Sequence, residues 1–323
     1  MNPVLELNEL TVELSHAGQI VRPVEDVSMT IEEGKVVALI GESGSGKTMT
    51  ALAAMGLLPE SAHVASGAVI VDGTDVAGLS NKERRRLRAG TMGMVFQDPL
   101  SALNPVYSVG WQIAEQFRVH ENMSRSEANE RAVGLLRSVG IPDPERRSGE
   151  YPHQLSGGMR QRVMIAIAIA LHPKVLIADE PTTALDVTVQ AQILELLDEL
   201  RHKQGMAIWL ITHDLGVVAS LADEVILMYA GRAVESASAD RYFSKPRHPY
   251  GQALRASVPR LSQEIDDLHP VAGTPPPVTA FPSGCRFHPR CPYAIDRCRT
   301  EVPLLRSVDD VLVACHRAEE IHG

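Results

Sequence analysis

The sequence predicts an α/β protein built on a largely parallel sheet, and three observations carry that expectation. Short, continuous apolar runs recur between turn signals: Val36–Ile40, then "GAVIVDG", "GMVFQ", "KVLIADE", "AIWLITHD" and "EVILMYAG". Runs of this length without alternation are the pattern of strands buried on both faces. Helix-forming stretches, notably "MRQRVMIAIAIALH" and "VTVQAQILELLDELRHK", alternate with them, which indicates an α/β core. Finally, a glycine-rich loop separates the first run from a helix expected to continue through Leu58.

Between Gln97 and Gln154 the strand signals stop, and polar helical sequence such as "SRSEANERAVGLLRSVG" reads as an inserted helical subdomain, about 98–154. After about Glu235 the character changes again. Proline-rich breaks at "KPRHPYG" and "GTPPPV" precede a tail that holds all four cysteines. The expected division is a core over 1–235 and a small cysteine-containing extension over 236–323. The extension has little regular apolar patterning, so a metal bound there has two readings, a structural crosslink in place of the core that about forty residues cannot build, or a redox or iron-availability control of the chain's activity.

A chain of 323 residues with 44% hydrophobic content supports such a pair of regions. The formal net charge of −9 gives no general attraction to phosphate backbones or anionic lipid, which argues against nucleic acid as a partner. The basic run Lys82–Arg88, "KERRRLR", reads as a solvated helix face or a local partner contact. The start, "MNPVLELNELTVEL", lacks the features of a signal peptide, and no run of about 18 apolar residues spans a bilayer. A cytosolic location is therefore expected, and there thiols serve as free groups or metal ligands rather than as disulfides.

"GESGSGKT", Gly41 to Thr48, has the spacing of a phosphate-binding loop in the right context, after an apolar strand and before a helix. Gly41, Ser43, Gly44, Ser45 and Gly46 let successive N–H groups face phosphate oxygens, and the helix N-terminus beginning at Lys47, Thr48 and Met49 adds its dipole. Lys47 neutralises β/γ charge and the Thr48 hydroxyl ligates Mg²⁺. "KVLIADEP" delivers Asp179 to the carboxyl end of a strand, where α/β sheets place ligands, with Glu180 next to it. Asp179 is the expected Mg²⁺ partner and Glu180 the base or water-positioner for attack on a γ-phosphate. Taken alone, the pair also suits a plain helix N-cap.

"LSGGMRQR", Leu155 to Arg162, builds a second anion-binding helix start in the same chain. One nucleoside triphosphate does not need two cradles from one subunit. The economical reading is a dimer with ATP at the interface.

At this point the chain resembles the ATP-binding cassette (ABC) family of P-loop NTPases. "GESGSGKT", Gln97 in "VFQDP", "LSGGMRQR", "VLIADEP", "TTALD" and "ITHD" stand in the family's order over about residues 5–235. The resemblance implies an ABC-type nucleotide-binding domain that hydrolyses ATP. It implies that Gln97 senses Mg²⁺ and the attacking water and relays the state to a membrane partner. It further implies that Ser156, Gly157, Gly158 and Gln161 serve the opposite subunit's ATP, that Asp186 bridges the two subunits, and that His213 contacts the γ-phosphate. Alone, His213 would be a strand-end histidine and Gln97 a surface glutamine. One departure concerns adenine. The family usually stacks it on an aromatic ring, but "GQIVRPVEDVSM" offers none; Val21 stands there, with Val24 nearby, forfeiting about 0.5–1.5 kcal/mol of stacking.

"FQDPLSALNPVYSVG", "RHPYGQALRASVP" and "GCRFHPRCPYAIDRC" narrow the resemblance to the dipeptide/oligopeptide importer ATPases, of the dipeptide-permease D-subunit type. Such subunits pair as a heterodimer with a second related ATPase, peripherally at the cytoplasmic face of the cell membrane. They work beneath two permeases, with an extracytoplasmic binding protein delivering peptide. Related systems carry nickel, opines, glutathione or short oligosaccharides, and a nucleic-acid-associated cassette with a zinc module is the reading from another class.

The spacing of Cys285, Cys291, Cys298 and Cys315 lacks the tight pair usual in structural zinc sites. From the residues alone three readings stay open: an iron–sulfur cluster, Zn²⁺ with His288 or His316 as substitute ligands, and uncoordinated thiols. The family resemblance implies a 4Fe-4S cluster.

Overall fold

The structure is a computed structural model that describes residues 3–183, 185–257 and 271–321. Its contacts divide the chain into two compact units, one comprising Met1–Val4, Glu32–Lys35 and Gly78–Trp209, the other Leu5–Ile31, Val36–Ala77 and Leu210–Gly323.

In the second unit, β1 (Pro3–His16) and β2 (Gln19–Glu32) open the chain and are joined by β4 (Ala62–Val71) and β5 (Thr74–Asp75) in a sheet of order β2-β1-β4-β5. None of the first three was expected in full, because an antiparallel sheet with one wetter face shows interrupted burial rather than an unbroken apolar run. Between β2 and β4 in sequence, but outside that sheet, comes β3 (Val36–Ile40), buried at every residue and parallel to β9 (Glu224–Tyr229). Helix α1 (Lys47–Met55) follows β3 and is shorter than expected. Gly56 adopts the left-handed conformation at φ 61° and returns its N–H to Ala53, which stops the helix before Leu58.

The first unit holds α2 (Asn81–Thr91), capped by Ser80 and Glu83, which hold each other's backbone N–H groups. Next come β6 (Met92–Val95) and β7 (Val175–Asp179), parallel and wholly buried, in register from Met92 beside Val175 to Val95 beside Ala178. The chain between them is helical: α3 (Pro99–Ala102), α4 (Val109–His120), α5 (Arg125–Ser138), α6 (Pro144–Arg147) and α7 (Gly157–Ile169). Helix α8 (Val187–Gln204) leads to β8 (Ala207–Thr212), whose Ala207 N–H donates to Lys174 O at 2.8 Å. The second unit resumes with α9 (Leu215–Leu221).

The C-terminal region returns to the second unit's sheet. β10 (Arg232–Ser238) pairs antiparallel with β9, so the expected change near Glu235 falls inside a strand. Short helices α10 (Ala239–Ser244), α11 (Pro249–Ala256) and α12 (Asp296–Thr300) follow, and β11 (Arg306–Val308) pairs with β12 (Val311–Val313), which pairs with β10. Phe287, Val308, Val311, Val313 and Ala318 are buried in one cluster with Leu227, Tyr229, Tyr242 and Tyr250. The expectation of a tail without a core is thereby corrected. Its few apolar side chains are scattered in sequence and join a core that the sheet already supplies.

Candidate functional site

The phosphate-binding loop is shaped by close backbone approaches that exclude side chains. A Cβ on Gly41 (φ 148°) would stand 2.2 Å from Met228 O, and one on Gly46 (φ 105°) 2.4 Å from Pro23 O. Gly231 N–H donates to Ser45 O at 2.9 Å, and the Thr50 hydroxyl to Gly46 O at 3.0 Å. Ser45 and Lys47 are buried, Gly46 and Met49 half-buried, and Ser43, Gly44 and Thr48 exposed. Lys47 Nζ donates to the carbonyls of Gly41 at 2.7 Å and Glu42 at 3.0 Å, folding the ammonium back over the loop. Gly46 precedes helix α1 and no side chain caps that N-terminus; a helix start of this kind is an anion-binding feature.

Two residues far along the chain hold this loop. Tyr250 accepts the Glu42 N–H at 2.8 Å, and the Arg290 guanidinium grips the Glu42 carboxylate with two bonds of 2.6 and 2.9 Å. The Glu42 bond, ahead of Tyr229, raises the Arg290 pKa above the ordinary arginine value. Burial raises Tyr250 above the ordinary phenol value. Sequence reasoning missed both, although "HPYG" and "CRFHPRC" were legible as motifs.

In the first unit, Asp179 ends β7 and is 2% exposed. Glu180 follows with φ 47°, a left-handed conformation that costs a non-glycine residue about 1–3 kcal/mol and that clusters at functional sites. Its Oε2 accepts the Thr183 hydroxyl at 2.8 Å and Gln97 Nε2 at 3.2 Å, so the structure brings Gln97 and Glu180 together as adjacent side chains. Ser156 caps α7, its Oγ accepting Met159 N–H at 3.3 Å; Ser156 and Gly157 are exposed and Gly158 half-buried. Gln161, one turn on, is only 2% exposed, in contrast to the exposed Ser156. Asp186 is exposed and caps α8 through Val189 N–H at 2.9 Å.

In the second unit, His213 is exposed directly after β8, where Asp214 caps α9 through Gly216 N–H at 2.8 Å. Val21 and Val24 are both buried, and the apolar side chain with free surface in that segment is Ile20, 71% exposed.

Cys285, Cys291, Cys298 and Cys315 line one cavity together with His288 and His316. Three of the sulfurs receive the backbone N–H of the residue two further on: Phe287 for Cys285, Tyr293 for Cys291, and Arg317 for Cys315 at 3.4 Å. Such bonds favour thiolate ligands. Burial nonetheless raises Cys285 and Cys291 to about 11, so without a metal they are protonated thiols. Among the described residues, no group of three or more His, Cys, Asp or Glu is arranged to hold a single metal ion. The donor chemistry fits a thiolate-bound metal centre, while the side chains do not converge on one ion.

The family description "ABC transporter" matches residues 24–183, and "Oligopeptide/dipeptide transporter, C-terminal region" matches residues 234–298. The chain belongs to the ABC transporter family as one of its ATP-binding subunits. It is 49% identical to the dipeptide transport ATP-binding protein DppD of Escherichia coli (strain K12) over 307 residues, covering 95% of this chain and 94% of the relative. It is 50% identical to the oligopeptide transport ATP-binding protein OppD of Mycobacterium tuberculosis over 326 residues, all of this chain and 53% of that protein. Among solved structures it is similar to the dimeric post-hydrolysis state of the ATP-binding cassette MJ0796 bound to ADP and Pi. The TM-score is 0.66 and the identity 28%, over 73% of this chain and 98% of the other.

Proposed function

We infer that this chain is the ATP-hydrolysing subunit of an importer for di- and oligopeptides. The observation that carries the reading is similarity along 95% of the chain, cysteine segment included, to a dipeptide transport ATP-binding protein. In this reading the loop Gly41–Met49 holds ATP, Lys47 turning from its carbonyl partners to the phosphates, and Thr48 and Asp179 hold Mg²⁺ with Gln97. Glu180 positions or deprotonates the attacking water, and Thr183 and Gln97 orient its carboxylate. His213 contacts the γ-phosphate, Ser156 to Gly158 meet the nucleotide of a second ATPase subunit, and Asp186 lies at that junction. The partners are a related ATPase, two permeases and a peptide-binding protein. Among the described residues no helix is long and apolar enough to cross a membrane, which suits a peripheral subunit at the cytoplasmic face. Purifying the complex with its binding protein and identifying the retained ligand tests the cargo. Peptides are expected, and a nickel chelate, opine, glutathione or sugar would overturn it.

The four cysteines hold a metal centre in this reading, a 4Fe-4S cluster rather than Zn²⁺. Four thiols on one cavity and the N–H groups directed at three of them support it. When bound, a cluster would tie four points of the tail together. Protein purified without oxygen is expected to absorb near ~400 nm and to carry about four iron and four sulfide per chain. A colourless protein with one zinc would replace the cluster by a zinc site.

A further inference from the structure

We propose that Arg290, with Tyr250, is a positioning residue for the phosphate-binding loop, acting through Glu42, so that the cysteine segment sets the loop's affinity for nucleotide. The proposal rests on the reading that the loop binds ATP and goes beyond it, because it assigns a role in that binding to the C-terminal region.

Glu42 is gripped at three points. Its carboxylate is held by both Nη atoms of Arg290, its N–H by the Tyr250 hydroxyl, and its carbonyl by Lys47 Nζ. Holding the Glu42 N–H fixes the plane of the Gly41–Glu42 peptide, and with it the Gly41 carbonyl, 2.7 Å from Lys47 Nζ, from which Lys47 must swing to meet a phosphate. Arg290 is itself immobilised. Its side chain is 5% exposed, Nε donates to Ala272 O at 2.7 Å, and Nη1 reaches the Tyr229 hydroxyl at 3.3 Å. A planar guanidinium meeting a carboxylate with two bonds in a mostly buried place fixes geometry as well as charge.

The cysteine segment presents this arginine. Arg290 ends the single helical turn 288–290, where its N–H donates to Phe287 O at 2.9 Å and the Cys291 N–H returns to His288 O at 3.3 Å. A second arm comes from the residues just before that turn. Arg286 pairs with Glu25 and donates to Ala230 O, beside Gly231, whose N–H holds Ser45 O of the loop. "CRFHPRC" thus reaches the loop at both of its arginines, directly through Arg290 and through one intervening backbone group from Arg286.

The test is a double-mutant cycle on the full-length chain, reading the dissociation constant for Mg-ATP in Arg290→Gln, Glu42→Gln and the double variant, with Arg290→Lys alongside. Arg290→Gln is expected to weaken ATP binding about tenfold, with Arg290→Lys between it and wild type because an ammonium cannot make the paired bonds. The double variant is expected to be no weaker than the worse single, since both remove one link. In the assembled transporter the same change raises KM and leaves kcat within about twofold. Unaltered ATP affinity in Arg290→Gln, or losses that simply add, would overturn the proposal. Failure of the wild-type chain to bind Mg-ATP would instead remove the nucleotide reading, and the proposal with it.

Discussion

The phosphate-binding loop and the cysteine segment are both short irregular stretches broken by glycine or proline, yet they are held in place by different means. The loop takes its direction from its own neighbourhood, with β3 before it, α1 after it and Lys47 folded onto the carbonyls of Gly41 and Glu42, and distant groups such as Met228, Gly231 and Arg290 then pack around it. The cysteine segment is fixed from far away. Phe287 is 1% exposed beneath Tyr229, Tyr250 and His248, and Arg290 and Arg286 reach partners more than two hundred residues earlier. A locally held site can be read from a short motif. A site held at long range cannot, and it transmits its own condition to whatever it grips.

The largest expected effect lies with the locally built chemistry. Glu180→Gln keeps the side chain's shape and its Thr183 contact but removes the anionic base, so hydrolysis should fall at least about a hundredfold while Mg-ATP is still retained. Turnover in the assembled transporter and nucleotide retention are the two measurements. Full activity would take Glu180 out of the chemistry and leave its left-handed backbone without a functional account.

Next in size is the long-range anchor. Phe287→Ala empties the centre of a cluster of four aromatic rings and should cost about 3–5 kcal/mol in urea unfolding. Truncating Leu304, 78% exposed in the same tail, should cost under about 0.5 kcal/mol. Equal costs would mean that the tail is an appendage and the contrast drawn above fails.

That contrast also explains what the sequence made legible. The buried parallel strands β3, β7 and β9 and the loop between β3 and α1 were legible because continuous apolar runs and the G-x-x-x-x-G-K-T spacing are local signals. β10, β12 and the ion pair between Glu42 and Arg290 were not, because nothing within a few residues of Arg290 specifies a partner 248 positions away. Gln161 shows the converse, since a motif names its neighbourhood while helix phase decides that it is buried. Val21 was read only as the residue at the adenine position; that it lies on β2, buried, with Ile20 outward, depends on strand pairing that the segment alone does not fix.

The smallest predicted effect concerns the joint between sheet and tail. Glu235 on β10 is fully buried, and its two carboxylate oxygens accept the N–H groups of Arg247 at 2.8 Å and His248 at 2.7 Å. Burial raises its pKa to about 7 against these two hydrogen bonds and the charge of Arg247, while His248, also buried, is driven down to about 3 and stays neutral. In the folded chain Glu235 therefore holds its proton more tightly than in the unfolded one. Its contribution to stability is whole below the unfolded value near 4.5 and is lost as pH rises through about 7, a decline of at most about 3 kcal/mol. Urea unfolding at pH 5 and pH 7.5 should show wild type losing stability across that interval and Glu235→Gln losing less. The variant also forfeits about 1–3 kcal/mol at pH 5, because its amide nitrogen cannot accept one of the two backbone bonds. An identical pH slope in both would show that the carboxyl is not the titrating joint, leaving the tail's attachment to Phe287 and the two arginines.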